Sequence, residues 1–114
     1  MATSENSKWS LPLPLARAIK KMGSDLRDAR RRRRISVSVM AARASISRMT
    51  LNKIERGEPG VAFGSYAMVF FALGLTARLS ELVELKNDML GLELSEQDLP
   101  LRIRKPKIRS NANP

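Results

Sequence analysis

The sequence predicts an all-α fold of five helices, with a short C-terminal tail that can supply one edge strand. Apolar residues recur every three or four positions over residues 15–29, which is the spacing of a helix that buries one face. Ser36 and Ser47, of the residue type that begins helices, each precede a short helical segment. Apolar and basic residues alternate only over residues 101–104, as in a short strand. Helical signals therefore dominate the chain.

The first predicted helix runs from about residue 14 to residue 33. Pro14 lies in its first turn, where proline is tolerated. The apolar stripe crosses Gly23 without a change of phase, although glycine weakens a helix interior by about 1 kcal/mol. A break at Gly23, with Ser24 capping a second helix, is the alternative. Residues 30–34 are five arginines, which a helix spreads around its circumference, so some of them must bury their stems and project their charged heads.

Two short helices are predicted next, from residue 37 to 44 and from residue 48 to 56, and Gly57 ends the second. The few residues between them match the tight turn of a helix-turn-helix. The residues on their shared inward face are apolar: Met40, Ala41, Ala44, Ile46, Leu51 and Ile54. The outward face of the second short helix is long-reaching and cationic, as a helix that enters a DNA groove needs to be, and carries Arg48, Met49, Asn52 and Lys53.

Composition limits the function classes. The net charge of +10 favours a polyanionic partner, which means nucleic acid, an anionic membrane or an acidic protein. The chain has no Cys and no His, which excludes thiolate and imidazole metal sites and Ser–His catalysis. The acidic residues are scattered, and neither a glycine-rich phosphate loop, a membrane-length apolar run nor a signal peptide is present. We therefore expect no catalytic residue, no cofactor, no metal, no membrane and a cytoplasmic location. An enzyme that uses only carboxylates is the alternative that composition leaves open.

The 114 residues allow one domain plus tails. We expect a disordered arm over residues 1–10, a binding and dimerisation domain over 11–87, an extension over 88–106 and a disordered tail over 107–114. Within the domain, a fourth helix covers residues 63–73. A fifth is capped by Thr76 and runs to about Lys86. Trp9 packs either on the chain's own surface or on a partner.

The pattern Ser-x-x-x-Met-Ala-x-x-Ala-x-Ile-Ser-x-x-Thr-Leu-x-x-Ile-Glu-Arg-Gly, from Ser36 to Gly57, resembles the Cro/cI (XRE) helix-turn-helix family. The resemblance covers roughly residues 22–75 and implies a lambda-repressor-like domain that binds a double-stranded DNA operator as a homodimer. An ordinary helical hairpin is the plainer reading. Two departures stand out. Val37 replaces a glutamine that bonds a phosphate in the family, and Ser45 replaces a glycine of the turn, where a left-handed serine is costly.

The resemblance also implies site residues. Arg48, Met49, Asn52 and Lys53 would read bases. Hydroxyl and arginine side chains near the helix starts would contact phosphates, namely Ser36, Ser38, Ser47, Thr50, Arg33, Arg34 and Arg43. A solvated charge run is the alternative for the arginines. Glu55 and Arg56 would hold the second short helix against its neighbours.

Large apolar residues replace polar ones at two positions of the fourth helix, Met68 and Phe71, and indicate a covered patch. The expected dimer or partner interface comprises Met68, Phe71, Leu75, Leu79, Leu82, Leu101 and Ile103. The family buries the positions that Phe63, Tyr66, Val69, Phe70 and Leu73 occupy here.

The tail Asp-x-x-Gly…Leu-Pro-x-Arg-Ile-Arg resembles the tails of HipB-type antitoxin repressors, which are encoded beside a HipA-type kinase toxin. It implies a nucleoid-associated bacterial repressor that controls its own operon and helps neutralise the toxin. One alternative is a stand-alone phage-type repressor or a restriction-modification controller without a toxin. Another is a basic protein-interaction module, which would show little preference among DNA sequences. Membrane-surface binding is a weaker fourth reading.

Overall fold

The computed structural model describes residues 10–94 and 101–105. The described residues form helices and no strand, which confirms the all-α fold class. The chain divides into two compact units with the boundary between Glu81 and Leu82. The helices are α1 (Leu13–Arg32), α2 (Val37–Ala44), α3 (Arg48–Glu55), α4 (Phe63–Ala72), α5 (Thr76–Ser80) and α6 (Met89–Leu94), with a 3-10 turn (Leu85–Asn87) before α6.

The first helix is a single unbroken element of 20 residues, so the alternative of a break at Gly23 is wrong. Pro14 occupies its first turn, as predicted. Beyond the helix end, Arg34 adopts a left-handed conformation with φ 57°. The backbone N–H of Ile35 then donates to the Arg30 carbonyl (3.3 Å), which satisfies one of the last free carbonyls of α1.

Gly23 lies where α1 meets the end of α3 backbone against backbone. A Cβ at this position would overlap the Ile54 carbonyl oxygen and approach the Gly57 nitrogen to 2.8 Å. Gly57 has the reciprocal role, since a Cβ there would overlap the Cα of Lys20. The sequence indicated only that Gly23 weakens the helix. The structure adds that its missing side chain permits the close helix contact.

The ends of α2 and α3 are capped as predicted. The Ser36 hydroxyl accepts the backbone N–H of Val39 (3.2 Å), and the Ser47 hydroxyl accepts that of Thr50 (3.0 Å). Gly57, with φ 74°, terminates α3. The backbone N–H of Gly57 donates to the Ile54 carbonyl (2.9 Å), and that of Glu58 donates to the Lys53 carbonyl (3.0 Å). These two hydrogen bonds form a Schellman motif.

Ser45 forms the turn between α2 and α3 in the left-handed conformation, with φ 58° and ψ 40°. An L-residue with a side chain pays about 1–2 kcal/mol in this region, whereas glycine does not. Ser45 is exposed, so its replacement removes no buried contact. We expect Ser45→Gly to raise the free energy of unfolding by about 1 kcal/mol in chemical denaturation. Ser45→Ala keeps the cost and serves as the control; equal stability of the two variants would contradict the prediction.

The core of the first unit lies where α1, α2, α3 and α4 meet, because α2 packs on α3 and α4 while α1 packs on α3. Most of the predicted inward face is buried, with only Ile46 half-buried. Tyr66 closes one edge, since its hydroxyl donates to the Glu58 carbonyl (2.7 Å) and burial raises the pKa of its phenol. The largest fully buried side chains are Met40, Leu51, Ile54 and Val69.

The predicted helix from Thr76 to about Lys86 is wrong in length, because α5 ends at Ser80. Thr76 is its first helical residue and not its cap. The apolar stripe expected beyond Ser80 stays exposed at Leu82 and Val83, so no burial stabilises further turns.

The second unit contains the 3-10 turn and α6, neither of which was predicted from the sequence. The Asp88 carboxylate accepts the backbone N–H of Gly91 (3.0 Å) and caps α6. None of the described residues after Glu81 is buried. The helical turn suggested by Ser95 and Asp98 lies outside the described residues.

The edge strand expected over residues 101–104 is not formed, since residues 101–105 have irregular backbone. A strand needs a neighbouring strand for its ladder of hydrogen bonds, and the described residues of this chain offer none. Its pairing across a dimer stays a prediction. The expected disorder of the N-terminal arm and of the tail, and the packing of Trp9, fall on residues 1–9 and 106–114, outside the described part.

Candidate nucleic-acid interface

Helix α3 separates an inward face from an outward face. Leu51 and Ile54 are fully buried against the other helices. Arg48, Met49 and Asn52 are exposed, with 67% of the Met49 surface accessible. The helix therefore presents a guanidinium, a thioether and an amide to the outside. These groups can bond a guanine edge, touch a thymine methyl group and bond an adenine edge, respectively.

Lys53 is half-buried, so its placement differs from that of the other three candidate base readers. It lies in the last turn of α3, near the C-terminal carbonyl groups of the helix. A lysine can bury its stem along apolar surface while its ammonium group stays in water. Lys53 thus lies at the margin of the outward face.

An open groove lies between the end of α1, one side of α2 and the end of α4. Four of the seven residues expected to contact phosphates line it, and three of these carry positive charge. The backbone N–H groups at the first turn of α2 add partial positive charge at the same place. The combination suits a phosphate group. The groove is lined by Arg33, Arg34, Ile35, Ser36, Val39, Arg43 and Ala72.

The four hydroxyl groups at the helix starts bond one another in pairs, so one hydroxyl of each pair keeps a free donor. Ser36 and Ser38 are both exposed, with their hydroxyl oxygens 3.4 Å apart. The Ser47 hydroxyl donates to the Thr50 hydroxyl oxygen (3.0 Å) while it accepts the Thr50 backbone N–H. Because Thr50 accepts in this bond, its own hydroxyl proton remains available to a phosphate oxygen.

Arg30 differs from the other four arginines of the run. It exposes only 8% of its surface and forms a bidentate ion pair with Glu55. Its Nε (2.7 Å) and Nη2 (3.0 Å) each donate a hydrogen bond to the Glu55 carboxylate. Its Nη1 donates to the Ile35 carbonyl (2.9 Å), and the hydrogen bond to Glu55 raises the pKa of the Arg30 guanidinium. This pair ties the end of α1 to the end of α3. It confirms the structural role expected of Glu55.

The rest of the run, residues 31–34, is exposed. Nη1 of Arg33 donates to the Ala29 carbonyl (2.8 Å), which holds that guanidinium beside the helix end. The run is therefore neither wholly structural nor wholly solvated. Sequence periodicity could not select Arg30 as the buried member, because its partner lies 25 residues away.

The predicted interface residues divide between the two units. In the first, Phe71 exposes 64% of its surface and Met68 37%, while Leu75 and Leu79 are half-buried. Phe63 is also exposed, at 70%, so its expected burial is wrong. Phe63 is the first residue of α4 and adds a third large exposed apolar side chain to this helix.

The interface residues of the second unit are Leu82, Leu101 and Ile103. All three are exposed. The structure thus brings together the phosphate candidates in one groove and the base-reading candidates on one helix. It describes the two groups of interface candidates within separate units.

Two capped helices joined by a left-handed turn, with the second exposing a polar face, define a helix-turn-helix DNA-binding protein. The chain belongs to the helix-turn-helix domain family, which matches residues 21–82, more than half of its length. This supports the XRE-like resemblance at the level of the DNA-binding domain. No curated protein and no solved structure gives a significant match.

Among residues 10–94 and 101–105, no helix is long and apolar enough to cross a membrane. In the same part of the chain, no cluster of three or more acidic side chains has a metal-binding arrangement.

Proposed function

We propose that this protein is a sequence-specific transcriptional repressor that binds operator DNA as a homodimer in the bacterial cytoplasm, at the nucleoid. One observation carries the proposal: the same compact unit exposes Arg48, Met49 and Asn52 on α3 and has a groove lined by Arg33, Arg34 and Arg43. A helix that can read bases and a group of cations that can hold phosphates are the two parts that specific DNA recognition needs.

The phosphate grip supplies most of the affinity. Arg33, Arg34 and Arg43 would neutralise phosphates and release counterions, while the hydroxyl groups of Ser36 and Ser38 would donate to phosphate oxygens. Backbone contacts of this kind orient the protein but carry no sequence information. They also make binding steeply dependent on salt.

Base recognition supplies the sequence preference. Arg48 would form a bidentate contact with guanine, Asn52 would bond adenine, Met49 would touch a thymine methyl group, and Lys53 would reach a guanine from the margin. Each good bidentate contact discriminates against a wrong base by about 1–3 kcal/mol. Ser47 and Thr50 would contact the backbone at the start of α3.

The exposed apolar residues of α4 support the homodimer. A second copy would cover Phe71 and Met68, with Leu75 and Leu79 as further contacts of the first unit. In the second unit, the residues proposed to contact a second copy are Leu82, Leu101 and Ile103. Two-fold symmetry would place two α3 helices on half-sites about 34–36 Å apart.

We further propose that the partner of the dimer is a HipA-like kinase toxin, which makes the protein the antitoxin of its operon. The support is the resemblance of the tail, from Asp88 onward, to HipB-type antitoxins. Co-expression with the neighbouring gene, followed by purification on a tag carried by this chain, tests the partnership. Isolation of the chain without a kinase would favour the stand-alone repressor.

The first experiment on the repressor itself is a binding titration across a series of salt concentrations. It compares the duplex upstream of the protein's own gene with a shuffled duplex of the same composition. We expect a preference of about a thousandfold for the upstream duplex. Equal, steeply salt-dependent binding to both would overturn sequence-specific repression and leave only charge-driven binding.

Two arginines are expected to respond differently to substitution. Arg48→Ala should relax the preference at one base pair of each half-site, with a loss of about 1–3 kcal/mol for the preferred base. Arg43→Gln should weaken binding to all sequences alike and reduce the salt dependence by about one phosphate contact per protein copy. Binding profiles over a randomised operator measure both effects. Arg78→Ala, at an exposed residue of α5, is the control that removes the same charge elsewhere. An equal loss on every sequence from Arg48→Ala would contradict the base-reading role of Arg48.

A further inference from the structure

The charges of the chain change sign sharply along its C-terminal part. Residues 81–98 carry six acidic side chains and one lysine, whereas residues 99–114 carry five basic side chains and no acidic one. The basic stretch is therefore separated from the basic surface of the helix-turn-helix by an acidic segment. Such an arrangement differs from a uniformly basic protein, because a polyanion would be repelled by one segment and attracted by the next.

The described part of this basic stretch is accessible. Residues 101–105 have irregular backbone, and all five are exposed. Arg102, Arg104 and Lys105 form no ion pair with any residue that the structure describes. Their charges are thus uncompensated within the described chain, and their backbone N–H groups take no part in a helix or a strand.

We propose that the C-terminal arm, defined as residues 101–105, is a second DNA-binding element that contacts backbone phosphates outside the bases read by α3. Its side chains provide two guanidinium groups and one ammonium group, the donors that bind phosphate most strongly. An irregular, exposed backbone can follow the path of a DNA strand, which a helix cannot do over the same length. The acidic segment before it keeps residues 81–98 off the duplex and leaves the arm as the part of the C-terminal unit that DNA attracts.

This inference rests on the proposed DNA binding and extends it. The arm adds affinity without adding base specificity, since contacts to phosphates carry no sequence information. It also lengthens the stretch of duplex that each protein copy covers. Both consequences can be measured on the full chain.

The test combines one protein variant with two lengths of DNA. The variant carries Arg102→Gln, Arg104→Gln and Lys105→Gln, and its nuclease footprint defines a trimmed duplex. The second duplex extends the first by about one helical turn on each side. On the extended duplex we expect the variant to bind about tenfold or more weakly at low salt. The slope of log K against log salt should fall by up to about 2.7 per protein copy, or 0.9 per lost contact. On the trimmed duplex, wild type and variant should agree within about twofold.

A matched control tests whether the charge of the arm is what the duplex attracts. The variant Arg102→Lys with Arg104→Lys keeps all three charges and should bind the extended duplex within about twofold of wild type. The glutamine variant could instead lose the same affinity on both duplexes and form a weaker dimer in sedimentation. This result would show that the arm binds the acidic segment of a second copy, and it would overturn the proposal.

The remaining outcomes are distinct from one another. Unchanged binding of the glutamine variant, with wild type still selective for its operator, would overturn the arm alone. Failure of the wild-type chain to bind any DNA would overturn the arm and the proposed repressor together.

Discussion

Arg30→Met is expected to lower the free energy of unfolding by about 3–5 kcal/mol, because it breaks a buried ion pair. The Arg30 and Glu55 side chains expose only 9% and 7% of their surfaces. Methionine fills much of the same volume but leaves the Glu55 carboxylate without its partner in a site of low dielectric. The Ile35 carbonyl loses a donor at the same time. Chemical denaturation followed by circular dichroism measures the loss.

Two comparisons make this prediction specific to the buried pair. Arg32→Met removes an exposed charge from the same helix and should change the free energy of unfolding by no more than about 0.5 kcal/mol. Replacing both partners, Arg30→Met with Glu55→Met, should recover much of the loss, because no buried charge remains unpaired. Similar stability of Arg30→Met and Arg32→Met would show that the pair has little importance.

Gly57→Ala is expected to cost about 2–5 kcal/mol of stability. One part is the left-handed backbone, φ 74°, which penalises a side chain by about 1–2 kcal/mol. The other part is the overlap of the new Cβ with backbone atoms of α1, at Lys20 and Ile19, which no rotation of a side chain can relieve. Overpacking of this kind typically costs about 1–3 kcal/mol. Thermal and chemical denaturation measure the sum.

The chain offers a control for each part. Gly74 has φ 79° but open space around its Cα, so Gly74→Ala isolates the cost of the backbone conformation. Gly23 is helical and meets the same contact from the other side, so Gly23→Ala isolates the overlap. If Gly57→Ala destabilises no more than Gly74→Ala, the close approach of α1 and α3 is not tight.

Local chemistry allowed much of the fold to be predicted. Ser36, Ser47 and Gly57 fix helix ends by hydrogen bonds to residues three to five positions away, and such signals can be read from the sequence. The course of α1 through Gly23 followed from an apolar stripe of constant phase. Both depend on neighbours along the chain.

Features that depend on distant residues could not be predicted in the same way. The pairing of Arg30 with Glu55 and the contact between Gly23 and Gly57 exist only once α1 crosses α3. The short length of α5 was missed because a helical stripe does not reveal whether anything covers it. Asp88, just before α6, is by contrast an N-cap type of residue and thus a local sequence signal for the start of that helix.

For the candidate site, helical periodicity predicted which residues of α3 face outward, since its inward residues must fill the core. The grouping of Arg33, Arg34 and Arg43 in one groove required the three-dimensional arrangement of α1 and α2. The roles of these side chains in DNA binding stay predictions.

Because α3 lies in close contact with α1, its residues fall into two sets, one constrained by packing and one free of it. Leu51, Ile54 and Glu55 anchor the helix, while Arg48, Met49 and Asn52 make no contribution to the buried core. The outward residues can therefore be exchanged without rebuilding the scaffold. Under the proposed base-reading role, mutation of these three positions would change the target sequence at little risk to folding.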